Sequence, residues 1–359
     1  MDRNGMESTL LLPELKVLVA QVLGLADPDL VGNDAGFGTT PGWDSFAHLM
    51  MITAVEDAYG LRTGVNEIDR TLTLIDLASF LAGEVAEVET VLDMTKGPLA
   101  ALWRDDPLRD RDVIYVHARW HSRWQAARGE VGSLAGLLHW LRGPDGGRTV
   151  VVPAFPFTGR DYASVLTQRR PFSVIATPAR TGLFAEMVRT TPEAVRSAHP
   201  LLSECALGPQ AAWIVADAHR HPHPFHDGST YARLLAADAA MVGLGVDIAT
   251  NALIHLVDDR LGEHYPFPLY DAPAAFDVTF ADGQTHPVTV LPYSPGITRR
   301  IRPRALRPFL AERPEILTEL SVAGLPFYRL RLRPFIDLCT DIGSRALDAG
   351  RLPPWHEEE

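Results

Sequence analysis

Apolar residues recur at helical spacing in the first part of the chain. Spacings of three and four between residues 11 and 22 predict a first helix. A loop rich in Gly, Asp and Pro covers residues 26–42, and a second apolar face covers residues 45–60 and ends in glycine, a common helix stop. Thr73 can cap a last helix, and Asp76 falls in its first turn, where an acidic side chain is favoured. The pattern predicts a small helical bundle with one long loop.

The pattern changes after residue 98, where short apolar runs alternate with helical stretches. A helical stretch at 132–143 separates the first two runs, and later stretches of the same kind carry Glu186 and His255. The alternation predicts an α/β domain. The predicted buried strands are 112–118, 148–155 and 239–246, and the predicted hairpins are 276–291 and 317–332.

Composition separates the same two parts of the chain. Its 359 residues have 46% hydrophobic content, enough for two domains. The net charge of −12 lies almost wholly in residues 1–90, which hold 15 Asp/Glu and 4 Lys/Arg. We therefore expect domains at 1–88 and 99–359, joined by a charged linker at 89–98. An acidic domain suits basic protein partners and repels nucleic acid, so no nucleic-acid partner is expected.

The chain carries no sign of export or of membrane insertion. No run of 18 or more apolar residues is present in the sequence. Glu14 and Lys16 interrupt the apolar N-terminus, which lacks a basic start and a small-residue cleavage site. Cys205 and Cys339 are too few for a disulfide framework. We expect a cytoplasmic protein with no membrane partner.

Ser45 follows Asp44 at the entrance of the second helix, in "WDSFAHLMMITAVEDAYGL". Its hydroxyl suits an ordinary helix cap, and it also suits a phosphodiester, because free amides and the helix dipole stabilise negative charge there. With the trailing "TLTLIDLASFLAG", the domain resembles acyl and peptidyl carrier proteins, although Phe46 stands where that family usually has Leu. The resemblance implies an all-α, four-helix carrier domain with 4′-phosphopantetheine attached covalently to Ser45.

The stretch 180–262 carries the most specific motif of the chain. It contains "VRSAHPLLS", then the glycine-rich "VGLGV", and then His255 with Asp258 three positions later. This order resembles the aminoglycoside 3-N-acetyltransferase family, whose early strand is similar to "VIYVHA" here. The resemblance covers roughly residues 98–350 and implies an α/β acyltransferase domain of that type, with acetyl-CoA or another acyl-CoA as a thioester donor.

The resemblance also implies roles for individual residues. Acyl transfer to an amine needs a base, because an ammonium group cannot attack a thioester, and histidine is the usual choice. We assign His199 as the base, oriented or charge-balanced by Glu186 or Asp258, with His255 supporting the site. The residues assigned to the pantetheine arm or the oxyanion are Arg196, Ser197 and Ser203.

Two departures from the family pattern lie at its substrate end. Asp258 stands where the family has Glu, and is one methylene shorter. Ala252 stands where the family usually has Thr, three positions before His255. Both departures bear on the choice of substrate.

Two further clusters extend the list of candidate sites. Alternating histidines between 219 and 226 suggest a metal, but the interleaved prolines and the lack of nearby cysteine argue against one, so no metal is expected. A second cluster of arginines forms either a solvated face or a dock for an acidic carrier or a pantetheine phosphate. These are Arg299, Arg300, Arg302, Arg304, Arg307, Arg329, Arg331 and Arg333.

The sequence as a whole predicts an N-acyltransferase of natural-product biosynthesis, whose carrier holds either the acyl donor or an aminoacyl acceptor. Tethering raises the effective concentration of the thioester to the millimolar range. The expected partners are a phosphopantetheinyl transferase, an acyl- or aminoacyl-loading enzyme or synthase module, and a small-molecule amine acceptor. The alternatives that stay open are a thioesterase or O-acyltransferase, a carrier scaffold with an inactive transferase-like domain, and aminoglycoside resistance.

Overall fold

The computed structural model describes most of the chain. Gly60, the greater part of the expected linker and Ala252 lie outside the described residues. The described ranges are 8–59, 71–82, 97–103, 111–119, 134–143, 145–158, 162–248, 251, 253–298 and 300–356, without the side chains of residues 45, 46, 57, 103 and 135.

Three of the predicted helices are present in the described N-terminal part. They are α1 (Ser8–Leu23), α2 (Ser45–Tyr59) and α3 (Leu74–Ala82), and a 3-10 turn interrupts the long loop at Pro28–Leu30. Their apolar faces meet because α1 packs against both α2 and α3. The helical bundle is therefore as predicted, whereas the complete four-helix carrier arrangement is not shown.

Side chains cap the N-termini of α2 and α3. The Thr73 hydroxyl accepts a hydrogen bond from the Asp76 amide at 3.0 Å, and the Asp76 carboxylate accepts one from the Thr73 amide at 2.9 Å. This reciprocal pair is a capping box, so the prediction for Thr73 and Asp76 is confirmed. At α2 the cap is Asp44, whose Oδ1 accepts from the Ala47 amide at 3.0 Å. Ser45 is instead the first residue of the helix.

A seven-stranded sheet forms the centre of the larger part. The three central strands run parallel to one another, the strand on each side of them runs antiparallel to them, and each edge strand is antiparallel to its own neighbour. The order across the sheet is β4-β5-β2-β1-β6-β10-β9. The strands are β1 (Val113–Ala118), β2 (Thr149–Pro153), β4 (Val195–Arg196), β5 (Glu204–Leu207), β6 (Ala240–Leu244), β9 (Leu317–Val322) and β10 (Leu325–Arg331).

A second sheet has three strands in the order β3-β7-β8, with β3 (Phe172–Ser173), β7 (Ala274–Thr279) and β8 (Thr285–Val290). It encloses its own small core with α5 (Tyr162–Gln168). Strands β7 and β8 form the hairpin predicted at 276–291, and β9 with β10 forms the hairpin predicted at 317–332. The α/β prediction is confirmed for this part of the chain.

Helices cover both faces of the large sheet, because alternate residues of its strands point to opposite sides. One face packs with α4 (Leu134–Arg142), α6 (Leu183–Thr190) and the N-terminal helices, and the other packs with the remaining helices. The remaining helices are α7 (Ala211–Val215), α8 (Thr230–Ala236), α9 (Ile254–Arg260), α10 (Pro295–Thr298), α11 (Arg307–Leu310) and α12 (Leu332–Asp348). Among the described residues, no helix has the length and apolar character needed to cross a bilayer.

The N-terminal helices pack on the larger part of the same chain. Helix α2 lies against α6, the helix that carries Glu186. Buried residues of both parts, such as Trp43, Ile52, Leu183 and Met187, belong to one continuous apolar cluster. The helix that begins at Ser45 is therefore anchored to the α/β domain.

One close approach fixes the middle of the large sheet. Gly243 of β6 pairs with Tyr328 of β10, and a Cβ atom added at Gly243 would lie 2.1 Å from the Tyr328 ring. Such a distance is far inside van der Waals contact, so only glycine fits there.

Candidate active site

The segment after β4 holds the Arg-Ser-x-His-Pro motif inside the protein. The Arg196 guanidinium is buried against the Phe172 ring, 4.7 Å from its centroid. It donates to Ser203 Oγ at 3.2 Å and to the carbonyls of Thr177 and Ala154. Burial lowers the pKa of Arg196 to about 10, so the side chain stays charged at neutral pH. Arg196 therefore joins three segments of the chain.

The two serines of the motif also have partners within the chain. Ser197 Oγ accepts from the Glu204 amide at 3.0 Å, and Ser203 Oγ donates to the Ala154 carbonyl at 2.7 Å. Both serines are buried. Their contacts, like those of Arg196, stabilise the fold, and the predicted contact of all three with a pantetheine arm stays a prediction.

His199 is held by the turn that follows it. Its Nδ1 accepts hydrogen bonds from the amides of Leu201, at 3.2 Å, and Leu202, at 2.9 Å. Since Nδ1 is an acceptor, the proton of the neutral ring lies on Nε2, which is buried and has no hydrogen-bond partner among the described residues. Burial, with smaller effects from His226 and His219, lowers the pKa of His199 to about 3. His199 is thus a neutral donor whose basic nitrogen is already occupied.

Glu186 does not orient His199. Its carboxylate forms a two-pronged pair with Arg189, at 2.6 Å to Nε and 2.5 Å to Nη2, and also accepts from the Ala179 amide at 2.8 Å. The pair is buried and lies within α6 and the segment before it. Because Arg189 takes both oxygens of Glu186, no hydrogen bond between Glu186 and His199 is present among the described residues, and a charge-balancing role of Glu186 stays a prediction.

Asp258, on α9, is a fully buried carboxylate with four hydrogen-bond donors. Oδ1 accepts from the Tyr265 hydroxyl at 2.5 Å and the Trp355 indole at 2.7 Å, and lies 3.0 Å from His356 Nε2. Oδ2 accepts from the Tyr293 hydroxyl at 3.1 Å. None of the four donors is His255, although His255 lies three positions away on the same helix. Asp258 instead joins segments that are distant in sequence.

His255 lies beside that network and is partly exposed. Its ring is tilted against the Tyr293 ring, with the centroids 4.6 Å apart, and its Nδ1 is buried without a hydrogen-bond partner in the described structure. Burial lowers the pKa of His255 to about 4, an effect opposed by the charge of Asp258 and increased by His356. At neutral pH the ring is therefore neutral, and one nitrogen is free to accept a proton.

Glu204 is a buried acid that the sequence analysis missed. It stands on β5, surrounded by Tyr231, Thr230 and Ser197, and its Oε1 has no partner among the described residues. Burial raises the pKa of Glu204 to about 8, and the polar groups of those neighbours oppose the shift. The signal in the sequence was a single acid within the apolar run "ECAL".

The histidine-rich loop forms ring contacts. The His221 and His226 rings are 5.3 Å apart, His219 packs edge-on against Phe280 at 5.0 Å, and His223 Nε2 lies 3.0 Å from Asp259 Oδ1. Within the described ranges, no group of three or more His, Cys, Asp or Glu side chains is arranged to hold a metal ion.

Three arginines of the cluster that forms either a solvated face or a dock contact separate parts of the fold. Arg307 pairs with Asp247 and Glu319 at 2.8 and 3.1 Å, and Arg329 is buried and donates to the Thr318 hydroxyl. Arg333 donates to the Leu235 carbonyl at 2.5 Å. Arg299 lies outside the described residues. The three described here thus make contacts within the chain, and a dock formed by this cluster stays a prediction.

Comparison with known proteins supports the assignment of the larger part. Residues 115–342 match the family described as aminoglycoside 3-N-acetyltransferase. Aminoglycoside N(3)-acetyltransferase IX of Micromonospora chalcea is 31% identical over 160 residues, which cover 41% of this chain and 56% of that protein. The chain thus spans just over half the length of that curated relative.

Solved structures share the fold. A structure of AAC-IIIb in a binary complex with CoASH has a TM-score of 0.53 and 23% identity, and the match covers 68% of this chain and 92% of that one. The aminoglycoside acetyltransferase AAC(3)-Xa gives a TM-score of 0.51 and 22% identity over 68% and 88% of the two chains. These matches confirm the predicted acyltransferase fold and leave the carrier domain a prediction.

Proposed function

We propose that this chain, which belongs to the aminoglycoside 3-N-acetyltransferase family, transfers an acyl group from a pantetheine thioester to an amine. The observation that carries the proposal is His255, a neutral ring with a free buried nitrogen beside the buried carboxylate of Asp258. Attack on a thioester requires a neutral amine, and a ring that is unprotonated at pH 7 is able to remove its proton. The charge of Asp258 then stabilises the imidazolium that forms.

In this proposal the base is His255, and His199 has a different role. The two amides on His199 Nδ1 would have to be released before Nε2 could accept a proton, and burial opposes a charge on that ring. We assign to His199 the shaping of the 199–202 turn.

The donor is proposed to be acetyl-CoA or another acyl thioester with the same pantetheine arm. AAC-IIIb, which shares the fold, is described in complex with CoASH. The N-terminal helices supply a second route, because a phosphopantetheine arm on Ser45 carries an acyl group as a thioester. Ser45 fits the attachment since it is the first residue of α2, and Asp44 already caps the helix. The packing of α2 on α6 favours transfer within one chain.

The acceptor is proposed to be a small amine, and the setting natural-product biosynthesis. A carrier fused to an acyltransferase has no evident use in antibiotic resistance, whereas carriers hold intermediates of biosynthesis. A phosphopantetheinyl transferase and a loading enzyme or synthase module are the partners this requires. The carrier holds either the donor or an aminoacyl acceptor that receives acetyl from acetyl-CoA.

The first experiment tests the carrier. The purified chain and its Ser45→Ala variant are incubated with CoA and a promiscuous phosphopantetheinyl transferase, and intact mass is measured. We expect the mass of one phosphopantetheine to be added to the wild type and nothing to the variant. No addition to the wild type would reject the carrier and leave a CoA-dependent transferase.

The second experiment tests the reaction. The pantetheinylated protein is loaded with acyl groups and followed with and without amines, and acetyl-CoA with aminoglycosides is assayed in parallel. Loss of the acyl group only when an amine is present supports N-acyl transfer. Equal loss in buffer alone supports the thioesterase alternative, and loss only with alcohols supports O-acyl transfer.

A further inference from the structure

We propose that His356 is a positioning residue of this site, which fixes the orientation and the effective charge of Asp258 beside His255. The inference rests on the proposed function, in which His255 is the base. His356 lies beyond the residues that match the family, 115–342, so nothing in the family comparison assigns it a role.

The contacts of Asp258 carry the argument. Two of its four donors, Trp355 and His356, come from the segment that follows α12, which is 97 and 98 residues away in sequence. Trp355 is fully buried, and His356 is buried at 5% exposure. Backbone contacts hold this segment in place, since Ile301 forms an isolated bridge with His356 and the Arg302 amide donates to the Trp355 carbonyl.

The chemistry of His356 and Asp258 determines the direction of the hydrogen bond between them. A carboxylate oxygen only accepts, so His356 Nε2, 3.0 Å away, carries a hydrogen and donates. The Tyr265 hydroxyl, 3.2 Å from the same nitrogen, donates to the same oxygen. Together these donors hold Oδ1 and draw on its negative charge. Among the described residues, only Tyr293 donates to Oδ2, on the side where its ring meets His255. Asp258 is one methylene shorter than glutamate, so this anchoring decides where its charge lies.

Other titratable groups around this network are neutral at neutral pH or paired among themselves. Burial and the charge of Asp258 raise the pKa values of Tyr265, Tyr293 and Cys339 far above their ordinary values. Asp259, the next carboxylate on α9, is taken by the Tyr270 hydroxyl at 2.5 Å and by His223. Among the donors to Oδ1, His356 is the one that carries an imidazole ring, and its removal changes the charge balance at Asp258.

The test compares His356→Ala with His356→Gln, which keeps an N–H donor near the position of Nε2. His264→Gln, at the exposed position next to Tyr265 in sequence, is the matched control. The midpoint of His255 is followed by nitrogen-detected NMR of histidine-labelled protein from pH 4 to 8, with His255→Gln to assign its signal. The pH dependence of kcat and the melting temperature are measured on the same samples.

We expect the His255 midpoint in His356→Ala to rise by about half to one pH unit, because the less compensated Asp258 carboxylate favours the imidazolium more strongly. In His356→Gln, the His255 midpoint is expected to return most of the way to its wild-type value. In His264→Gln, it is expected to stay at the wild-type value. An unmoved His255 midpoint in folded His356→Ala would overturn the inference. If His356→Ala fails to fold, His356→Gln and Trp355→Phe must still move the midpoint upward, by smaller amounts, or the inference fails.

The readouts separate this inference from the proposed function. If the His255 midpoint moves while the acid limb of the kcat profile does not, His356 positions Asp258 but His255 is not the base. If both move together, both proposals are supported.

Discussion

Two histidines of the motif lie in regions of the molecule that differ in their hydrogen bonding. Around His199, backbone amides occupy Nδ1, and the ring is fully enclosed. Around His255, one nitrogen has no partner in the described structure, the ring is partly exposed, and a buried carboxylate lies on the same helix. Burial lowers both pKa values, to about 3 and about 4, so titration alone would not tell the two apart. The difference teaches that hydrogen bonds which hold one tautomer of the ring, more than the pKa, decide which ring can act as a base.

The largest effect is expected from His255→Gln. The variant keeps a polar side chain of similar size but has no basic nitrogen, so kcat should fall by about 10²–10⁴-fold. The melting temperature and far-UV circular dichroism should change little, since the ring makes no hydrogen bond through Nδ1. Full activity in this variant would place the base elsewhere and remove the contrast between the two histidines.

His199→Ala should act mainly on stability. The amides of Leu201 and Leu202 lose a buried acceptor, which costs about 1–3 kcal/mol of unfolding free energy. His199→Asn, whose side-chain oxygen can take the place of Nδ1, should recover much of it. Both are measured by urea unfolding. If His199→Ala keeps its stability but loses turnover as strongly as His255→Gln, the sequence-based assignment of His199 as the base is correct.

Glu204→Gln tests the surroundings of His199 through the pH dependence of protein stability. The pKa of Glu204 is about 8 in the folded protein, above its ordinary value of 4.5, so the folded state binds more protons between these pH values. Its stabilising effect is complete below pH 4.5 and is lost as pH rises through 8. The glutamine variant stays neutral throughout, so its stability should fall less between pH 5 and 8.5, with a difference of about 1–3 kcal/mol. Parallel curves for wild type and variant would show that Glu204 does not titrate in this range.

His199 acts on stability with the opposite sign. Its pKa is about 3 in the folded protein and 6.5 ordinarily, so the unfolded state binds more protons and stability falls as pH drops below about 6.5. The acid side of the stability curve should therefore be flatter for His199→Asn than for the wild type.

The smallest effect is expected at Arg307, which pairs on the surface with Asp247 and Glu319. Exposed pairs of this kind contribute about 0.2–1 kcal/mol, so Arg307→Ala should lower the unfolding free energy by no more than that. Transfer from the carrier should be unchanged. A large loss of carrier-dependent transfer, with CoA-dependent transfer intact, would support the hypothesis that the arginine cluster docks the acidic carrier.

The fold was predictable from the sequence wherever periodicity is strong. The apolar runs at β1, β2 and β6 and the turn near Asp282-Gly283 gave the strands and the hairpin directly. The capping box at Thr73 was also predictable, because it depends on residues three apart. Local patterns of this kind need no knowledge of the tertiary structure.

Which residues belong to the site was predictable from the sequence, but their hydrogen-bond partners were not. His255 and Asp258 were named from the family resemblance, yet the partners of Asp258 come from distant segments that carry no motif. The tautomer of His199 depends on backbone amides, and the pairing of Glu186 depends on Arg189, a residue given no role in the sequence analysis. The cap of α2 was placed one residue late, at Ser45, because Asp and Ser are equally good caps.

At the centre of the large sheet, the Tyr328 ring fills the space that a methyl group on Gly243 would need. Substitutions at these two positions should therefore be coupled during evolution. A residue with a side chain can replace Gly243 only where Tyr328 has already been replaced by a residue without the aromatic ring. Homologues in which the glycine has been replaced should therefore have a small residue opposite it.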